Sequence, residues 1–334
     1  MLNKIYEKTL QYIKKEYKFL ITLIITLAIF TIKLPYYIDM PGGLINISNR
    51  ITLDDKKLSG TLNMAYVSET RATLPSYIVA KLNKDWDIIK KEKIILKNET
   101  EEEVKFRDEL DMNSAISNAL YVGLKESNQE FTTKNHKLYV THIYENAKTD
   151  LKIKDQIIEV NNKKINTYED LKQINNMKKG DTIEIKVINN NKEYIRHAEL
   201  IELENKTIIG ILTGETFDIE TNHKIKINNK ARESGPSGGM MMALSVYSYL
   251  TEDLTNNKKI SGTGTIDKEG NVGEIGGVKY KLIGAVKNKA DIFLVPNGEN
   301  YEEAIKVKNE KGYDIKIVGV STLKEAIETL KNYN

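Results

Sequence analysis

The sequence predicts an α/β protein with a smaller domain set into it and an apolar amino-terminal segment ahead of both. Three observations carry this. After residue 204, apolar strand-like runs alternate with helical spacings. Between 131 and 203 the texture changes to short strands, tight turns and one capped helical turn. Phe19 to Ile32 is a charge-free apolar run of 14 residues. A chain of 334 residues has room for two or three domains, and its 40% hydrophobic content can fill their cores.

The amino-terminal run predicts a membrane anchor over 1–38. Fourteen residues fall short of the roughly 20 that span a bilayer. Leu34-Pro-Tyr-Tyr-Ile38 extends the run past Lys33, with Tyr36 and Tyr37 suited to a headgroup belt. Lys4, Lys8, Lys14, Lys15 and Lys18 precede the run against Glu7 and Glu16. That asymmetry keeps the amino terminus cytoplasmic and places the remainder outside the cell. No small-x-small cleavage site follows, so an uncleaved single-pass anchor is expected.

Residues 39–130 read as mixed α/β. Gly60-Thr-Leu-Asn-Met-Ala-Tyr-Val67 has strand character, and apolar positions 112, 116, 119 and 120 have helical spacing. The charged stretch Lys90 to Glu109 reads as solvated.

The next domain, 131–203, opens with the strand Leu138-Tyr-Val-Thr-His-Ile143. Leu151 to Val160 leads into the turn Asn161-Asn-Lys-Lys164, whose Asn residues tolerate left-handed backbone. Thr167-Tyr-Glu-Asp170 is a capping-box pattern opening a short helix. Gly180-Asp181 then turns into the alternating strand Thr182 to Ile188. Over about 65 residues this order resembles the PDZ domains of bacterial proteases, through Glu145-Asn-Ala147, Leu151-Lys-Ile-Lys-Asp155, Val160-Asn161, Glu169-Asp-Leu171 and Gly180-Asp-Thr-Ile183. Two departures stand out. Lys154 replaces the usual Gly, and the carboxylate-binding loop expected around His136-Lys137 lacks glycine.

The final part, 204–334, offers strands at Ile208 to Leu212, Lys224 to Ile227, Ile292 to Pro296 and Ile315 to Val320. Thr322-Leu-Lys-Glu325 caps a last helix. Between them lies Gly235-Pro-Ser-Gly-Gly239, directly before an apolar run to Leu250. The Met240-Met-Met-Ala-Leu244 stretch reads as core.

Gly235-Pro-Ser-Gly-Gly239 fits the G-x-S-x-G nucleophile elbow. That elbow requires a histidine after the serine, but His136, His142, His197 and His223 all precede Ser237. Chymotrypsin-like proteases with PDZ domains put the protease first, the opposite of the order here. Ser321-Thr-Leu-Lys324 matches S-x-x-K formally, without the further elements that motif needs. A lysine base is what remains. A free Lys has a pKa near ~10.4, and depressing it by about 3 units requires burial on an apolar element. Lys279 and Lys281, at the start of a helix opened by Gly276-Gly277, both qualify, and helical geometry does not choose between them.

Composition narrows the chemistry further. The 50 basic and 47 acidic residues nearly balance, without the clustered basic face that nucleic acid needs. With no cysteine there is no thiolate nucleophile, disulfide or cysteine-based metal site. No metal or cofactor is expected. No G-x-x-x-x-G-K-[ST] occurs in these residues, so no ATPase of that type is expected.

Gly262-Thr-Gly-Thr-Ile-Asp-Lys-Glu-Gly-Asn-Val-Gly-Glu-Ile-Gly-Gly-Val-Lys-Tyr-Lys281 resembles, without a gap, the "MTGEITLRGxVLPIGGLKEK" block of the Lon proteolytic domain (endopeptidase La). Gly235-Pro-Ser-Gly-Gly239 resembles its "GPSAG". The resemblance covers about 100 residues and joins two motifs whose key positions lie 44 residues apart. It implies a Lon-type α/β fold and a Ser–Lys dyad of Ser237 and Lys281, with Thr263 orienting the lysine. With anchor and PDZ, the chain is similar to membrane-anchored, PDZ-containing Lon-like serine peptidases. Met112 to Leu120 resembles the early helix of that fold, so the PDZ domain is expected as an insertion. The resemblance implies an ATP-independent endopeptidase acting on peptides or flexible, unfolded protein segments outside the membrane. A catalytically inactive PDZ adaptor is the alternative. Lon-type domains form hexameric rings, whereas an inserted PDZ domain and a tether oppose ring closure, so homo-oligomerisation stays open. Ser234 stands where the family has Asp, and Gly238 where it has Ala.

Overall fold

The computed structural model describes residues 2–95, 99–228 and 233–333. The chain divides into two compact units, one of residues 1–42 and 67–97, the other of residues 43–66 and 98–334. Along it lie α1 (Leu2–Thr31), β1 (Tyr36–Asn46), β2 (Ile51–Leu53), β3 (Thr61–Arg71), α2 (Leu74–Leu82), β4 (Asp87–Lys90), α3 (Lys91–Ile94) and α4 (Glu101–Glu126). Next come β5 (Phe131–Ile143), β6 (Lys148–Thr149), β7 (Gln156–Val160), β8 (Lys163–Lys164), α5 (Tyr168–Leu171), β9 (Thr182–Asn189), β10 (Lys192–Glu199), β11 (Ile201–Leu203) and β12 (Lys206–Ile208). Then follow β13 (Ile211–Thr221), β14 (Ile225–Ile227), α6 (Gly239–Leu250), β15 (Lys259–Gly262), β16 (Thr265–Ile266) and β17 (Val272–Gly273). The chain closes with α7 (Val278–Lys287), β18 (Ile292–Pro296), α8 (Glu299–Lys311), β19 (Lys316–Val320) and α9 (Leu323–Lys331).

The first unit holds α1, α2, β4 and the outer ends of β1 and β3. Pro35 cannot continue a helix, and α1 stops four residues before it. Tyr36 to Asp39 instead pair with β4 in an antiparallel ladder, Tyr36 opposite Lys90. Ile38 is buried with Ala72 and Ala80, and Tyr36 packs on Tyr77. Two parts of the anchor expectation are therefore corrected. The apolar run does not extend as helix to residue 38, and Tyr36 and Tyr37 are strand residues. The charge-free part of α1, Phe19 to Thr31, is only about 20 Å long at 1.5 Å per residue. No helix among the described residues is long and apolar enough to cross a membrane.

In the second unit β3, β15, β18 and β19 are parallel neighbours, in the order β19-β18-β15-β3. Alternation along β18 sends side chains to two faces. Ile292 and Leu294 join the core under α4, α6 and α9, while Phe293 and Val295 pack with Val278 and Leu282 of α7. All of Met240, Met241, Met242, Ala243 and Leu244 are buried in the first of these cores, as the apolar run implied. The charged segment before residue 110 is less solvated than expected. A capping box between Thr100 and Glu103 and three glutamates in the first turn start α4 at Glu101. Glu99 lies buried against Arg107.

The core under α6 draws on Ile47 to Leu124 and on Met240 to Leu330. Leu138 to Ile209 form a separate core. In chain order this smaller core lies between the two stretches that build the larger one. Its sheet runs β13-β5-β7-β9-β10-β6 and takes in β13, beyond residue 203.

Candidate active site

The serine turn is built by glycine and by its neighbours. Gly235 has φ +84, left-handed backbone that a residue with Cβ adopts only under strain. Its N–H donates to the Asp108 carbonyl of α4 at 3.2 Å. Glu233, at the start of the turn, forms a two-armed ion pair with Arg50, which is buried. The Arg50 carbonyl also accepts from the Asn228 N–H at 2.8 Å, so Arg50 holds the chain on both sides of residues 229–232. After the turn, Gly238 is the N-cap of α6 and no side chain caps that helix. Ser237 is therefore not a cap. No hydrogen bond engages its hydroxyl among the described residues, nor the N–H groups of Ser237 and Gly238.

Thr263 follows the last residue of β15 and is fully buried. Its N–H donates to the Leu294 carbonyl at 2.9 Å, which continues the sheet. Its Oγ donates to the Ser237 carbonyl at 3.1 Å, and the Gly264 N–H donates to the same oxygen at 2.8 Å. The Ser237 main chain is thereby fixed over the carboxyl end of β15. A polar clamp at that strand end explains why a threonine stands there.

The helix that carries Lys281 packs on the other face. In the parallel crossover from β15 to β18, α7 runs back from the carboxyl ends to the amino ends of the strands. Helix starts on both sheet faces thus gather at one edge, the usual place for a site in such sheets. Gly277, at φ +71, is the N-cap of α7. The Asn300 side chain, buried at the start of α8, accepts from the Ile275 N–H at 2.8 Å and donates to the Ile275 carbonyl at 3.0 Å. These bonds fix the approach to α7.

Lys281 is only 4% exposed, while Lys279 is half-buried. Packing thus distinguishes the two lysines that helical spacing left alike. Burial alone lowers the Lys281 amine from 10.5 to about 8, and no carboxylate opposes that shift. Its place in the first turns of α7 also disfavours positive charge. Burial pushes the carboxyls of Asp108 and Asp111 upward, and for Asp111 the neighbouring Asp108 adds to it. Ser234 is exposed and brings no charge. A Cβ on Gly238 would lie 2.7 Å from the Met64 sulfur, so this chain's methionine fills the room that an alanine would take.

Sequence reasoning missed Arg50, Glu233 and Asn300. Arg50 and Glu233 are 183 residues apart and carry no motif. Asn300 looked like an ordinary residue of a helix start.

A concave feature lies in the smaller domain. A cleft of about 250 Å³ is lined by Leu171 and Ile174 on one side and by Ile208, Ile209, Ile211 and Thr213 on the other. The expected carboxylate-binding loop is not at His136-Lys137, because those residues lie inside β5, Lys137 opposite Thr216. The link that precedes the edge strand, from the end of β12 at Ile208, is Ile209-Gly210, with Gly210 at φ +84. A Cβ there would sit 2.8 Å from that of Ala147. No strand among the described residues pairs with the outer edge of β13. The α4 hydroxyls of Ser114 and Ser117 donate to the Glu215 and Phe217 carbonyls, which leaves the Ile211 to Thr213 stretch beside the cleft.

An unbonded serine hydroxyl and a buried lysine, on helices that both start at one end of the sheet, are the kinds of group that a nucleophile and its base require. Residues 212–332 match the Lon protease (S16) C-terminal proteolytic domain, and residues 103–195 match a PDZ domain. The chain carries a Lon-type serine protease domain joined to a PDZ domain. It is 36% identical over 98 residues to the Lon protease of Neorickettsia sennetsu, covering 28% of this chain and 11% of that protein. It is 33% identical over 96 residues to the Lon protease of Campylobacter concisus, covering 29% of this chain and 12% of that protein. The chain thus matches about one-eighth of the length of these relatives. Among solved structures, the PDZ domain of the SdrC-like protein from Listeria monocytogenes is 20% identical. It covers 23% of this chain and 85% of that one, at a TM-score of 0.21.

Proposed function

We propose that the protein is an ATP-independent serine endopeptidase using Ser237 as nucleophile and Lys281 as base. The observation that carries this is the burial of Lys281, its amine shifted by no carboxylate among the described residues, on the helix that follows the strand at whose end Thr263 fixes Ser237. Neutral Lys281 takes the Ser237 proton as the hydroxyl attacks a peptide carbonyl, and returns it to the leaving amine. The tetrahedral oxyanion is held by the unengaged N–H groups of Ser237 and Gly238 at the start of α6. Water, deprotonated by the same lysine, then releases the acyl group. Thr263 acts as a positioning residue through the Ser237 carbonyl.

The PDZ cleft supplies recognition in this reading. An extended peptide adds to the edge of β13 at Ile211 to Thr213, with an apolar side chain between Leu171 and Ile174. The substrates are peptides or flexible protein segments, since no phosphate-binding loop occurs in the sequence to drive unfolding. We place the enzyme at the outer face of the cell membrane. The lysines ahead of the apolar run of α1, and the exposed Phe19, Ile24, Ile25, Leu27 and Phe30 within it, support attachment there.

The test compares full-length wild type with three variants on an unfolded protein substrate, with and without ATP. Ser237→Ala and Lys281→Ala are expected to lose turnover by at least about 10³-fold. Lys279→Ala should retain most of it, and ATP should change nothing. Equal cleavage by wild type and Ser237→Ala, or none by either, would leave the inactive adaptor as the better account.

A further inference from the structure

Helix α2 is amphipathic in the wrong sense for a soluble protein. Ala80 is its only buried residue, while Leu74, Ile78, Val79 and Leu82 are 44%, 51%, 49% and 82% exposed. At 100° per residue Leu74, Ile78, Leu82 and Val79 fall within an arc of about 140°, on the side away from Ala80. Four large apolar side chains on one side of a nine-residue helix are an exposed patch that calls for a partner.

The surroundings of α2 say which partner. Its start is tied to the end of α1, because the Leu34 N–H donates to the Ala72 carbonyl at 2.7 Å and the Ala72 N–H to the Tyr36 carbonyl at 2.8 Å. Lys33 alone separates Ile32 from Leu34, and Thr73 alone separates Ala72 from α2. The apolar run of α1, with Phe19, Ile24, Leu27, Phe30 and Ile32 all exposed, therefore ends where the exposed side of α2 begins. The far end of α2 carries the cations Lys81 and Lys84, with Lys81 over the Tyr77 ring at 5.1 Å, and then Trp86. Apolar side chains flanked by lysines and amphipathic aromatics are the dress of a helix lying in a lipid headgroup region.

We propose that α2 is a second membrane-contact element, lying in the interface with Leu74, Ile78, Val79 and Leu82 in the acyl region. This rests on the reading of α1 as the membrane-attachment segment and adds to it a surface on the folded unit itself. The contact compensates for the short apolar run of α1, since an interfacial helix needs no spanning length.

Trp86 is the only tryptophan and a built-in reporter. Full-length protein is mixed with phosphatidylcholine vesicles containing about one-third phosphatidylglycerol, with or without brominated acyl chains. Vesicle sedimentation and Trp86 quenching are recorded. Wild type is expected to bind and to be quenched. Leu74→Asp/Ile78→Asp/Leu82→Asp should bind at least about tenfold more weakly, with quenching lost. These positions are exposed, so unchanged cleavage of a soluble peptide verifies that the variant is folded. An Ile24→Asp/Leu27→Asp variant separates the two readings. If it alone loses binding while the α2 variant is quenched like wild type, attachment stands and the proposal for α2 falls. If wild type itself ignores the vesicles, attachment falls and the proposal with it. A drop in mass of the α2 variant without lipid, in sedimentation equilibrium, identifies a second copy as the partner and overturns the proposal.

Discussion

At the scale of single residues, Lys281 shows a site working against its fold. An unfolded lysine titrates near 10.5, and the buried one near 8. The sign follows from which state holds the proton. Below about pH 8 both states are protonated, and the folded state bears the full cost of a buried charge. Between about 8 and 10.5 the unfolded state binds more protons, so stability rises with pH through that window. Lys281→Met is therefore expected to stabilise the protein by about 2–3 kcal/mol at pH 7 while abolishing turnover. Urea denaturation at pH 7 measures the first effect and a peptide assay the second. In wild type, kcat/KM should climb about tenfold per pH unit below 8 and level off above it. Gly235 offers a test of the turn. Nothing lies within 4 Å of an added Cβ, so Gly235→Ala meets only the strain of φ +84. A loss of about 1 kcal/mol is expected, with reduced kcat, read from a melting curve and steady-state rates.

At the scale of elements, the site depends on how two helices begin. The start of α6 is fixed by Thr263 and Gly264, and the approach to α7 by Asn300. Asn300→Ala strands the Ile275 N–H and carbonyl in a partly buried place and should cost about 2 kcal/mol. A merely structural residue would leave the pH profile alone. Here the loosened, wetter α7 should move the midpoint of kcat/KM upward from about 8 toward the ordinary lysine range. The edge of β13 makes a separate prediction. A peptide ending in a free carboxylate after an apolar residue is expected to bind the PDZ cleft, and its amidated form roughly tenfold more weakly, by fluorescence polarisation. Fluorescence that cannot tell the two apart would mean that Ile208-Ile209-Gly210 does not bind a chain terminus.

At the scale of the whole molecule, the proposed ATP-independent endopeptidase can reach only what opens by itself. Cleavage of a stably folded substrate should track that substrate's own unfolding equilibrium, and destabilising it by about 1.4 kcal/mol should speed cleavage about tenfold. A cleavage rate indifferent to substrate stability would contradict the proposed mode of action.

Much of this was legible in the sequence because it rests on local chemistry. Gly235 and Gly277 mark left-handed turns, Thr322 accepts from the Glu325 N–H as a cap at 3.2 Å, and the Met240 to Leu244 run could only be core. The absence of a histidine after Ser237 in the sequence points to lysine without reference to packing. What the sequence left undecided depends on neighbours far along the chain. Lys279 and Lys281 are equivalent on a helical wheel, and only the sheet packed against α7 buries one of them. The glycine loop of the PDZ cleft was sought before β5. It lies about 70 residues later, because β13 and not the chain's nearest segment supplies the edge strand. The extension of the apolar run to Ile38 failed for the same reason, since pairing with β4 drew those residues into a sheet. Sequence by itself determined the glycine turn that carries Ser237, since it depends on residues adjacent in the chain. Tertiary structure alone decided which amine is buried, which strand edge is open and which helix side faces outward, because burial is a property of what folds against a residue and not of the residue itself.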